Sequence, residues 1–85
     1  MNGKLYICNL PRSMTEGELT SLFTQAGEVI LVDLIKDRFN GESKGFAFVT
    51  MGSRSEAERA ILKFNAHIVK THQITVAMAE QAFQL

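Results

Sequence analysis

Lys44-Gly45-Phe46-Ala47-Phe48-Val49-Thr50-Met51 is the stretch whose reading decides the fold. Two kinds of residue alternate along it, which is the period of a strand. Lys44, Phe46, Phe48 and Thr50 carry a cation, two rings and a hydroxyl. Gly45, Ala47, Val49 and Met51 are small or aliphatic. Just upstream, Asn40-Gly41 reads as a turn. Before that turn lies a second run rich in Val, Ile and Leu, Val29–Lys36. The two runs are expected to pair as neighbouring strands.

Two more runs of the same kind, Leu5–Leu10 and Ile74–Ala79, flank this pair, and Gly45–Met51 counts as the third strand in chain order. Between the first two strands, Thr15 followed by Glu18 is a capping-box signature. Leu19, Leu22, Phe23 and Ala26 then recur on one helix face, and Gly27 is a stop signal. Between the last two strands, Ser53 with Glu56, or Ser55 with Glu58, starts a second helix. Ala57, Ala60, Ile61 and Phe64 form its apolar face, and Asn65 ends it. The order β-α-β-β-α-β predicts an α+β, ferredoxin-like sandwich: a four-stranded antiparallel sheet with two helices on one face.

The two faces of that sheet differ. Leu5, Ile7, Val32, Leu34, Val49, Met51, Ile74, Val76 and Met78 are uniformly aliphatic and form the expected core side. Gly45 and Ala47 sit among them, where a helix is expected to approach closely. The opposite set holds Tyr6, Cys8, Asp33, Ile35, Lys44, Phe46, Phe48, Thr50, Thr75 and Ala77. Two helices cover one face only, so Tyr6, Phe46 and Phe48 are expected on an open sheet surface. A monomer seldom exposes a contiguous apolar patch without a use for it.

Composition narrows the use. The chain has 85 residues, expected to form a single domain over 1–85 with an ordered core at about 3–80. Nine Lys or Arg balance nine Asp or Glu, which counts mildly against long duplex DNA or an anionic membrane as partner. Cys8 is the single cysteine, so neither an internal disulfide nor a Cys cluster for metal is expected. His67 and His72, read as loop residues, have no Cys or carboxylate at ligand spacing. No apolar run approaches the ~20 residues that span a bilayer, and the stretch before Pro11 is too short for a signal peptide. A reducing compartment is expected, with the cytoplasm of a bacterium first and an organelle or nucleus also open. Polar residues are scattered over helix faces and turns, so no enzyme and no cofactor is expected. A flat sheet with rings and cations suits single-stranded nucleic acid, because every base offers a π-face for stacking.

Lys44–Met51 resembles the octamer signature of the RNA recognition motif, K/R-G-F/Y-G/A-F-V-x-F/Y, with Met51 the one departure. Leu5-Tyr6-Ile7-Cys8-Asn9-Leu10 resembles that family's first-strand hexamer. The resemblance covers nearly the whole chain and is to the short single-motif proteins of bacteria and the repeats of chloroplast ribonucleoproteins. It implies single-stranded RNA as partner, with bases on Tyr6 and Phe46, a sugar at Phe48 and phosphate at Lys44. Lys4, Lys36, Arg38, Cys8, Asn9 and the backbone near Ala79 are further RNA-binding candidates. Asn9 is also read as fixing the turn after the first strand. Asp33, Ile35, Thr75 and Ala77 are expected to tune sequence preference.

Departures temper the affinity this implies. Where the family often has Gly-Arg, this chain has Thr71-His72, which removes a permanent cation. Asp37 and Glu42 dilute the positive charge of the loop holding Arg38. Met51 points into the core, so its effect is expected on packing. Phe83 is either a strap across the sheet or a loose end. The alternatives are a protein-binding module of the same family and a general binder of single-stranded DNA and RNA. The chain is expected to act as a monomer.

Overall fold

The structure is a computed structural model that describes residues 3–82 of the chain. The main sheet holds β1 (Lys4–Cys8), β2 (Val29–Lys36), β3 (Ser43–Met51) and β6 (Thr75–Met78). Their order is β2-β3-β1-β6, with every neighbouring pair antiparallel. Helices α1 (Glu16–Thr24) and α2 (Arg54–Phe64) pack on one face. The predicted α+β, ferredoxin-like arrangement is therefore the fold.

The core is the aliphatic set read from alternation. Leu5, Ile7, Ala47, Val49, Met51 and Ile74 are completely buried, and Leu19, Phe23, Ala57, Ala60 and Phe64 close over them from the helices. Met51 is among the fully buried residues, as its register requires. Phe23 and Phe64 meet edge to face with centroids 5.1 Å apart, which locks α1 to α2.

Both helix starts are capped as their residues dictate. Thr15 accepts from Glu18 N–H, and the Glu18 carboxylate accepts from Thr15 N–H. Ser53 caps α2 through Glu56 N–H, which selects the earlier of the two starts. At its far end, Asn65 turns its side chain to accept from Val76 N–H at 3.0 Å.

Four details depart from expectation. Strand β1 ends at Cys8 because Asn9 adopts φ 61°, a left-handed conformation that Asn tolerates. Strand β3 begins at Ser43, and Gly45 takes φ 88° inside a register shift between Leu34 and Lys36. Glycine is needed there for that backbone and for the Leu10 carbonyl, 3.3 Å from where a Cβ would sit, and no helix is involved. Residues 66–74 are not a plain loop, since β4 (Ile68–Val69) and β5 (His72–Gln73) pair in a small second sheet. After Met78 the chain turns into α3 (Ala79–Ala82), so Ala79 begins a helix and does not extend the last strand. Phe83 lies outside the described residues.

Candidate nucleic-acid interface

With α1 and α2 on the far side, the near face of the central strands carries the aromatic side chains. Antiparallel pairing sets Tyr6 of β1 opposite Phe48 of β3, and Cys8 opposite Phe46. The rings consequently cluster. Tyr6 lies 5.9 Å from Phe46 and 5.4 Å from Phe48, tilted by 52° and 46°. Each is half-buried, because the rings lean on one another. Across the sheet, Asp33 of β2 is in register with Phe48, and Ala77 of β6 with Tyr6. Asp33 and Thr75 are exposed, whereas Thr50, which alternation also sets on this face, is covered.

Cations border these rings. Lys4 holds its ammonium 4.8 Å from the Phe48 ring centroid, within cation–π range. Lys44 and Arg12 line a cleft with Tyr6, Cys8, Asn9, Phe46 and His72. Arg12 was not among the sequence candidates, because strand alternation says nothing about a loop residue. His72 stands on β5, half-buried in that cleft, not in a loop. Cys8 is a free, half-buried thiol between Phe46 and Thr75.

Asn9 does hold the turn after β1, donating from Nδ2 to Gln73 O at 2.8 Å. That bond ties the end of β1 to β5 and so positions His72. Leu10 N–H donates to Gly45 O at 2.8 Å, which ties the segment after β1 to β3. The Leu10 bond braces the end of β3 that carries Phe46 and Lys44.

Lys36 is not brought to the rings, and the Ala79 side chain turns inward. Lys36 follows the register shift and lines a different cleft, with Arg12, Met14, Glu16 and Gly17 at the start of α1. Ala79 is 7% exposed, so its side chain belongs to the interior. Arg38 stands in the β2–β3 loop, beside Phe39. In that loop the amides of Phe39 and Asn40 donate to the Asp37 carboxylate and hold its pKa below the ordinary value, with Lys44 adding attraction.

This combination of split βαβ order, the hexamer and octamer on adjacent central strands, and clustered rings has a counterpart in known proteins. The family model of the RNA recognition motif matches residues 5–75. The chain belongs to the RNA recognition motif family.

It is 45% identical over 78 residues to the chloroplastic 33 kDa ribonucleoprotein of Nicotiana sylvestris, covering 92% of this chain and 24% of that protein. A solved Sxl-lethal protein/RNA complex matches with a TM-score of 0.88 and 31% identity, over 92% of this chain and 48% of that one. RNA Binding Protein PG1 matches with a TM-score of 0.86 and 34% identity, over 89% of this chain and 92% of that one. The chain thus spans about a quarter of the length of the curated relatives it matches. Among the described residues, no group of His, Cys, Asp or Glu is arranged to hold a metal ion, and no helix is long and apolar enough to cross a membrane.

Proposed function

We propose that this RNA recognition motif binds single-stranded RNA across its open sheet face. Bases stack on Tyr6 and Phe46, a sugar rests against Phe48, and phosphates meet Lys44, Lys4, Arg12 and Arg38. The observation that carries the reading is the Tyr6–Phe46–Phe48 cluster, with the Tyr6 ring in contact with both phenylalanines on the face opposite the helices. Stacking contributes ~1–3 kcal/mol per base and tolerates any base, so two platforms give useful affinity with little net charge. Lys4 above Phe48 supplies a cation where a sugar–phosphate unit would cross that ring. The names of the related ribonucleoprotein and of the solved RNA complex support the same partner.

Retention of all three rings favours nucleic acid over a protein partner for this face. Stacking does not require the 2′-hydroxyl, so single-stranded DNA is a second ligand for the same face. The unit acts as one monomeric domain. The chloroplast names of the relatives favour an organelle over a bacterial cytoplasm as its compartment.

An NMR titration with a pool of short single-stranded RNA oligomers tests this. Amide shifts should concentrate on β1 and β3, at Tyr6, Cys8, Phe46 and Phe48. Shifts confined to α1 and α2 would overturn the reading and point to a protein-binding role.

A further inference from the structure

Phe39, at 90%, is more exposed than any other large apolar side chain described. A solitary exposed apolar residue needs no explanation on its own. Leu62, 88% exposed on the helix side of the molecule, is such a case. Three observations set Phe39 apart.

The turn that carries it is built. Asp37 Oδ1 accepts from Phe39 N–H at 2.8 Å and from Asn40 N–H at 3.2 Å. Asp37 N–H donates to Glu42 O at 2.7 Å, and Gly41 N–H donates to Asp37 O at 2.9 Å. Asn40 Oδ1 accepts from Glu42 N–H at 2.9 Å. The backbone under the ring is therefore ordered before any ligand arrives, which removes a cost of binding. A cation also accompanies the ring, since the Arg38 guanidinium carbon is 5.7 Å from its centroid. Finally, the turn adjoins the aromatic platform. One cleft is lined by Asp37, Asn40 and Glu42 on the loop side, and by Lys44, Arg12 and Phe46 on the sheet side.

We propose that Phe39 is a further stacking platform, taking the base of a nucleotide just beyond the one on Phe46. Arg38 meets the phosphate on that side. The inference rests on the RNA-binding reading and deepens it: the loop lengthens the bound strand beyond the sheet. An exposed ring on a braced turn offers a π-face that any base fits, with no pocket needed. Its contribution depends on ligand length, because a strand that only fills the sheet does not reach Phe39.

Fluorescence anisotropy with labelled, randomised single-stranded RNAs of about 4 and about 8 nucleotides tests this, spanning the lower range of site sizes for single-strand binders. Phe39→Ala should weaken binding of the longer RNA by about 5-fold or more and leave the shorter one unchanged. Phe39→Tyr should restore the longer-RNA affinity, while Phe39→Leu, apolar but without a π-face, should not. Phe46→Ala should weaken both lengths. Wild-type affinity of Phe39→Ala or Phe39→Leu for the longer RNA would overturn the inference while leaving the sheet reading intact. Indifference of both lengths to Phe46→Ala would instead remove the RNA-binding reading on which it rests. With Phe39 packed against so little, Phe39→Ala should melt where the parent does, so a loss of binding reports the ligand contact.

Discussion

Phe46→Ala separates what the ring does for the ligand from what it does for the fold. The ring lies 5.9 Å from Tyr6, a contact that exists with or without RNA. That contact cancels from the binding free energy and appears in stability, at about 0.5–1.5 kcal/mol for an aromatic pair. For a domain of this size it lowers Tm by about 2–12 °C. The base contact exists only in the complex, so its loss appears in Kd, at about 1–3 kcal/mol, or roughly 5- to 150-fold. Stacking involves no counterions, so the slope of log K against log salt should stay at the parent value. Lys44→Gln should do the reverse, with a modest loss at low salt and a slope shallower by about 0.7. Measuring Kd by anisotropy at several salt concentrations for parent and both variants yields slope and intercept together. A Phe46→Ala variant that binds like the parent would refute the stacking argument. So would a loss expressed wholly as a flatter slope, because the ring would then be acting through a displaced cation.

Three other perturbations test the scaffold. Thr71 and Lys70 form the β4–β5 turn at φ 74° and 48°, a conformation that suits Gly or Asn and strains a β-branched residue. Thr71→Gly should therefore stabilise by about 0.5–1 kcal/mol after the entropy cost of glycine is deducted, seen as a rise in Tm. Gly45→Ala should destabilise by about 1–2 kcal/mol because φ is 88° and the Leu10 carbonyl is close; chemical denaturation should show it, with weaker RNA binding from the displaced Phe46. The Glu56 carboxylate accepts from Glu28 N–H and Ser53 Oγ, which with the Arg59 charge holds its pKa below the ordinary glutamate value. A depressed folded pKa gives stability that is present above about pH 4.3 and is lost as pH falls further through the folded value. Glu56→Gln should accordingly lose stability at neutral pH and show a flatter Tm-against-pH curve on the acid side, and an unchanged acid limb would contradict this.

What could be read from residues followed from how much each signal depends on its neighbours. Alternation in Lys44–Met51 needs only the strand itself, so the core face and the ring face were both legible. The capping box at Thr15 and Glu18 is equally local. The β4–β5 hairpin was missed because its turn, Lys70-Thr71, lacks the Gly or Asn that marks such turns. Gly45 was visible, but its reason was not, since the register shift it serves is a relation between β2 and β3. Lys36 was placed by strand membership alone, although alternation puts it on the side of Val32 and Leu34, and it lines a cleft with Leu34 beside α1. Arg12 reaches the ring cleft through the fold of a loop, for which no periodicity exists.

The zero net charge acquires a definite meaning once charges are located. The ion pairs in the described part, Arg54 with Glu58 and Glu80 and Lys70 with Glu18, lie away from the rings. Arg59 caps the Ala26 carbonyl. These groups occupy one another, and exposed pairs of this kind contribute little to stability. Of the other cations, Lys4, Arg12, Arg38 and Lys44 border the sheet face or its loop, while Lys63 lies on α2 and Lys36 beside α1; Asp37 near Lys44 and Asp33 opposite Phe48 are nearby opposing charges. A local field attractive to phosphate therefore coexists with a neutral whole, but it is short-ranged and partly offset. Long-range steering should contribute little, and the complex should draw most of its free energy from contact between rings and bases. A surface built this way favours unpaired strands, whose bases are free to stack, over duplexes, which offer it phosphates alone.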